Sequence, residues 1–301
     1  MSGDSSARYP SIEPAAKNDR VLIVAPHMDD ETIGAGAYAL DALRTGADVF
    51  VAFLTAGDCA RFSARLMHGR MNPTPDDYLS VGTTRIAEAR NAMRLLGVPN
   101  DQIFFLGYPD RGLRMIGDEP SAIVRSDSTK RDTVPYDAAL SPGATHTRDN
   151  VLRDIRKILE LVQPTTVITP VPFDLHPDHN AAADLVDLAI DDLPLTPNRL
   201  GYVVHTSRFL KAFIWTPERA LLPPPRMRSF TWTMYPVSAS AQSMKAAMLA
   251  AYKSQRPYTY FLRNAFVRSN ELFFAYNAET VRVARAVTSF ACAPYSSPSS
   301  L

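Results

Sequence analysis

The chain has 301 residues, 46% of them apolar and 21% charged, with a formal net charge of +1. This is the composition of a soluble globular protein, and the length fits one large α/β domain or two small ones. Acidic and basic residues are mixed, so no basic stripe offers itself to nucleic acid, and no apolar run approaches the roughly 20 residues needed to cross a bilayer.

Residues 1–20 are a polar lead with Pro10 and Pro14, without the charged start and apolar run of a signal peptide. The two cysteines, Cys59 and Cys292, imply no disulfide framework and read as unremarkable thiols. A reducing cytoplasm is therefore the expected setting. Residues 21–25 are a short apolar run of the kind that forms a buried parallel strand. Residues 31–44 read as a helix ended near Gly46, and 49–54 as a second strand. A polar stretch at 57–82, broken by Pro73 and Pro75, reads as loop. A helix at 84–96, closed by Gly97, leads to a third strand at 103–106.

Residues 107–146 are rich in Gly, Pro, Ser and Asp, a long loop of the kind that forms a lid or binding loop. Helix 149–162, strand 165–169, helix 180–191 and strand 202–204 follow. Strands alternating with helices predict an α/β fold with a mostly parallel sheet covered on both faces. The last third is less regular. Pro223, Pro224 and Pro225 enforce extension, 229–236 reads as a strand and 239–254 as a helix, and 261–276 alternates aromatic and charged residues that read mostly as core. The expected organisation is the lead followed by one domain over 21–301, with about 206–301 as an irregular C-terminal extension packed on it.

Two clusters carry the chemistry: Pro26-His27-Met28-Asp29-Asp30-Glu31 and His176-Pro177-Asp178-His179. Each follows a predicted strand, and strand carboxyl ends line the ligand crevice of open α/β sheets. Three of the six histidines fall in these clusters. A catalytic zinc takes three protein ligands and keeps one position open. A His and an Asp from the first cluster with a His from the second would supply them. Among the side chains then left, a carboxylate and an imidazole fit a base and an oxyanion-stabilising acid for metal-assisted hydrolysis of an amide or ester. Taken singly, either cluster also fits a helix N-cap or a capped turn. Their pairing after buried strands favours a metal site.

These motifs resemble the signatures of the LmbE-like (PIG-L) de-N-acetylases, most specifically at 21–36 and 174–180 and more weakly along 21–205. The segments around Lys253-Ser254-Gln255 and Arg268-Ser269-Asn270-Glu271-Leu272 are similar to a bacterial branch of that family. The resemblance implies a Rossmann-like fold and a Zn²⁺ hydrolase, with Fe²⁺ or another divalent ion as alternatives. The implied substrate is a small N-acetylated sugar or sugar conjugate. By the same resemblance His27, Asp30 and His179 are the metal ligands, Asp29 is the general base on water, and His176 stabilises the oxyanion. Met28 stands where the family usually has Pro, and Asp174 where some relatives have a tyrosine that reaches the reacting carbonyl. Asp174 is expected instead to orient His176.

The resemblance further implies Arg85 and Asp110 as sugar contacts. The blander readings are an Arg85–Glu88 ion pair and a turn aspartate. His205 is expected to face the pocket or to be a satisfied buried histidine. Asp58, in Thr55-Ala56-Gly57-Asp58, is a candidate support for the metal site. The nearest rival is an amidase acting on another sugar-linked amide, as in mycothiol-conjugate amidases. A non-catalytic sugar-binding protein would have no use for a water-activating base. Gly34-Ala35-Gly36 lacks the glycine-rich turn of a dinucleotide site. Oligomeric state is left open.

Overall fold

An unbroken apolar run must bury both faces, and β1 (Arg20–Ala25) does so from Val21 onward at the centre of the sheet. It pairs in parallel with β2 (Asp48–Thr55) on one side and β4 (Thr166–Pro170) on the other. β3 (Ile103–Tyr108) continues in parallel beyond β2, and β5 (Asn198–Tyr202) beyond β4. Two antiparallel strands, β6 (Trp232–Pro236) and β7 (Asn270–Ala275), complete a seven-stranded sheet of order β3-β2-β1-β4-β5-β7-β6. This computed structural model describes residues 9–206, 214–256, 258–276 and 280; Cys292 lies outside the described residues.

The order reverses between β1 and β4. Right-handed crossovers place α1 (Asp30–Thr45) and α3 (Pro75–Leu96) on one face and α5 (Arg148–Val162) and α6 (Pro177–Asp191) on the other. The helix contacts agree. α1 and α3 both pack on α7 (Ala239–Ala251), whereas α5 and α4 (Leu113–Asp118) pack on α6. A strand order that reverses opens a crevice at the carboxyl ends of the two strands flanking the reversal. Both motif clusters emerge there, one after β1 and one after β4.

The observed elements differ from the expected ones at several ends. The 57–82 stretch holds α2 (Arg61–His68) and the first turns of α3. Thr74 and Asp77 form a capping box there, and Pro75 occupies a first-turn position where its missing N–H costs nothing. The proline read as a breaker is thus a helix start. α6 likewise begins at Pro177 with His176 as its N-cap. β5 ends at Tyr202, earlier than expected. The 261–276 region, assigned no element from its pattern, forms part of α8 (Tyr258–Phe266) and then β7. Far from irregular, the C-terminal part adds two strands and two helices, and Trp232, Phe274, Phe230 and Phe173 join it to the end of β4 as one aromatic cluster.

α1 is broken at Ala35, whose φ of −146° and ψ of 17° are not helical. Beside the break, Gly34 lies against the buried ring of Tyr202, and a Cβ on Gly34 would overlap that ring. The glycine provides room for a tyrosine, not for a pyrophosphate. Gly34→Ala should therefore destabilise the protein by about 1–3 kcal/mol, the usual cost of overpacking. Urea unfolding checks this, and a loss below about 0.5 kcal/mol would show that the ring moves aside freely.

Candidate metal centre and active site

Between β1 and α1 the chain must turn within four residues while presenting side chains to the crevice. Asp29 takes the strain, with a φ of 125°, a region that L-residues rarely adopt and that concentrates at functional sites. Three contacts hold the turn. The Asp29 N–H donates to Glu31 Oε2 at 3.0 Å, the Ile33 N–H donates to the Asp29 carbonyl at 2.9 Å, and Arg85 donates to the Met28 and Gly57 carbonyls. Arg85 also lies 3.7 Å from Asp29 Oδ1.

One oxygen is the focus of the site. Asp30 Oδ2 lies 3.2 Å from His27 Nδ1 and 3.1 Å from His179 Nε2. Neither ring nitrogen of His179, which is fully buried, makes a hydrogen bond. The outer nitrogens of both imidazoles face further carboxylates. His27 Nε2 is 3.2 Å from Asp178 Oδ2 and 3.3 Å from Asp110 Oδ1. His179 Nδ1 is 3.4 Å from Asp174 Oδ2. These outer acids are anchored by backbone N–H groups: Asp178 accepts from Arg111 and Leu113, Asp110 from Cys59, and Asp174 from His176, Val204 and His205. Imidazoles turned inward to a shared acid and braced outward by anchored acids form the pattern of a carboxylate–histidine–metal site.

Charge supports the same conclusion. Asp29, Asp30, Glu31, Asp110, Asp174 and Asp178 are all buried here, and the Arg85 guanidinium lies beside Asp29. Burial, with Asp30 and Glu31 nearby, pushes the Asp29 carboxyl up to about 8 against the pull of Arg85 and His27. Burial disfavours a charged His179, yet Asp30 and Asp174 outweigh it and raise the imidazole to about 9. The acids thus draw protons onto the imidazoles, and a divalent ion would supply that positive charge instead, leaving the imidazoles as neutral ligands. Three groupings of side chains among the described residues could hold a metal ion: His27 with His176 and His179, Asp174 with His179 and His205, and His27 with Asp110 and Asp178; Asp30 adjoins the first through its contacts with His27 and His179.

His176 sits on the open side, its ring 4.7 Å from that of His27 and 4.9 Å from that of His205. Its Nδ1 accepts from the Asp178 N–H at 3.2 Å. The neutral ring therefore carries its proton on Nε2, as a donor. Burial and the positive charge of His27 and His179 hold its pKa down to about 3.

The other candidates fall into place around this focus. Arg85 is buried and committed to two carbonyls and Asp29; Glu88 instead accepts from the N–H and hydroxyl of Ser254. Asp110 is buried against His27. Asp174 holds the backbone N–H of His176 and faces His179 and His205, so it does not orient the His176 ring as expected. The side chain of His205, 19% exposed, lies 3.2 Å from Asp174, and its ring is 4.9 Å from that of His176. Asp58 accepts from Tyr136 and Ser128, tying the long loop to the end of β2 rather than contacting His27, Asp30 or His179. Sequence reasoning gave Asp178 no role, although it stands inside a motif. Tyr258, 40% exposed at the start of α8, carried no signal at all; burial and the charges of Asp29 and Asp30 push its phenol up to about 12.

With this geometry established, the likeness to known proteins can be weighed. Residues 22–190 match the family model of the GlcNAc-PI de-N-acetylases, PIG-L. The chain belongs to the PIG-L family. It is 25% identical over 204 residues to a probable N-acetyl-alpha-D-glucosaminyl L-malate deacetylase 2 of Bacillus anthracis, a match spanning 67% of this chain and 73% of that one. It is 29% identical over 180 residues to a 1D-myo-inositol 2-acetamido-2-deoxy-alpha-D-glucopyranoside deacetylase of Kineococcus radiotolerans, covering 58% of this chain and 45% of the relative. Among solved structures, the N,N'-diacetylchitobiose deacetylase of Pyrococcus horikoshii shares the fold over 85% of this chain and 82% of that one, at 20% identity and a TM-score of 0.50. A deacetylase of the teicoplanin pathway does so over 85% and 97%, at 23% identity and a TM-score of 0.54.

If Asp178 braces His27, Asp178→Asn should weaken binding of a divalent ion by roughly 10–100-fold while the protein stays folded. Competition with a chromophoric chelator reads this directly. Wild-type affinity in the variant would remove Asp178 from the site.

Proposed function

We propose that this protein is a metal-dependent N-deacetylase that hydrolyses the acetamide of an N-acetylglucosamine-type sugar or sugar conjugate. The observation that carries the reading is the convergence of His27, Asp30 and His179 on one buried point, with Asp29 and His176 beside it. Two imidazoles and a carboxylate suit Zn²⁺, and also Fe²⁺ or other divalent ions. When bound, the ion would polarise the acetamide carbonyl and acidify a water molecule.

The chain's own residues do the rest. Asp29, held in its strained turn by Glu31 and Arg85, takes a proton from the attacking water. The Nε2–H of His176 donates to the carbonyl oxygen as it gains negative charge. The proton held by Asp29 passes to the departing nitrogen as the C–N bond breaks, releasing acetate and a free amine. His205 and Tyr258, both partly exposed, are the proposed sugar contacts. Arg85 and Asp110 act on the substrate through Asp29 and His27. The relatives' substrates, an N-acetylglucosaminyl malate and an acetamido-glucosyl inositol, support a sugar carrying a small polar aglycone. No helix among the described residues is long and apolar enough to cross a membrane, and a cytoplasmic setting is part of this proposal.

Wild-type protein should contain about one zinc or iron per chain by elemental analysis, and His27→Ala/His179→Ala none. Asp29→Asn should keep the metal yet lose about 10²–10⁴-fold in kcat, measured as acetate release from N-acetylglucosaminides. A panel of larger sugar-linked amides run alongside separates deacetylase from amidase. Full activity in Asp29→Asn would refute the mechanism.

A further inference from the structure

The break in α1 falls one turn beyond Asp30. At Ala35 the helix ladder stops, so the N–H groups of Ala37 and Tyr38 and the carbonyl of Ile33 lose partners that an unbroken helix would supply. Two side chains from the C-terminal part replace them. Glu271, on β7, accepts from the Ala37 N–H at 2.9 Å and the Tyr38 N–H at 2.8 Å, one on each oxygen. Lys245, on α7, donates to the Ile33 carbonyl at 2.8 Å and to Glu271 Oε1 at 2.5 Å. Both side chains are 2% exposed.

A buried ion pair is weak evidence of stability, because desolvation offsets its attraction. This pair does more than neutralise itself, since each end also satisfies backbone groups that the break would orphan. A third residue of the same region supports the turn from the other side. The Tyr252 hydroxyl donates to Glu31 Oε1 at 2.6 Å, and Glu31 holds the Asp29 N–H. Lys245, Tyr252 and Glu271 all lie beyond residues 22–190, the part matched by the family model.

We propose that Lys245 and Glu271 are positioning residues: they splint the broken helix and so set where its first turn presents Asp30 and Asp29. The C-terminal part is then a structural arm of the active site, reaching it through the backbone of α1. This rests on the reading of Asp30 as a metal ligand and Asp29 as the base.

The test uses full-length protein carrying Glu271→Gln or Lys245→Met. A Gln amide accepts at one atom and presents a donor at the other, so one of the two N–H groups loses its acceptor. Ile155→Val, a small truncation in α5 on the opposite helix layer, controls for a general loss of stability. Deuterium exchange of amides 29–38 is read on metal-free protein, Zn²⁺ affinity by chelator competition, and kcat and KM on the best acetylated sugar. Both variants should exchange faster at Ala37 and Tyr38, bind Zn²⁺ about tenfold more weakly, and lose kcat with KM changed less than about twofold. The control should match wild type in all of these. Unchanged exchange and Zn²⁺ affinity in the folded variants would overturn the proposal, whatever their melting temperature. If wild type binds Zn²⁺ but releases no acetate, the deacetylase reading alone fails and the splint is decided by exchange and affinity. If it binds no Zn²⁺, exchange alone decides.

Discussion

A concentration of buried negative charge at the carboxyl ends of β1 and β4 is the constraint around which the rest of this protein is arranged. Carboxylates leave water at great cost unless something compensates them. Here the compensation is graded by position. Asp174, Asp178 and Asp110 are anchored by backbone N–H groups, Asp29 by Arg85, and Asp30 by the two imidazoles it faces. Only the innermost acid, Asp30, has ring nitrogens converging on one of its oxygens, which is why the metal reading centres there and not on any acid in the cluster.

That arrangement places demands on the backbone. Delivering His27, Asp29 and Asp30 to one side of a strand end within four residues requires a turn that relaxed L-residues do not make. The strain falls on Asp29. It persists because the surrounding contacts over-determine it, from Glu31, from Arg85 and from the helix that follows. The helix itself is then broken a turn later, against the ring of Tyr202. Rigid sheet on one side and the Lys245–Glu271 pair on the other leave this turn little freedom, as pre-organised chemistry requires.

Much of this was legible in the sequence. The apolar run before His27 identified a parallel strand, because a strand buried on both faces has no polar alternation to disguise it, and the β-branched run 165–169 before His176 identified another. The clusters after them pointed to the proposed site, because ligand chemistry restricts residue type and the carboxyl ends of strands restrict place. Other elements were hidden by local signals with two meanings. Pro75 breaks a helix in its interior but starts one in its first turn, and only the Thr74–Asp77 capping box distinguishes the cases. β7 escaped notice because it lies between β5 and β6, held by antiparallel pairs distant in sequence that leave no local trace.

The sequence by itself determined the α/β class, the two strand ends on which the proposed site is built, and the residue types that could hold a metal and activate water. Those follow from hydrophobic pattern and donor chemistry, which are properties of short segments. Which acid braces which imidazole, that Arg85 turns inward to Asp29 and Asp110 to His27, and that Lys245 and Glu271 mend a helix more than 200 residues away were decided by the tertiary structure alone. Such pairings depend on distance in space and on which buried groups lack partners. Both exist only once the strand order has brought the segments together.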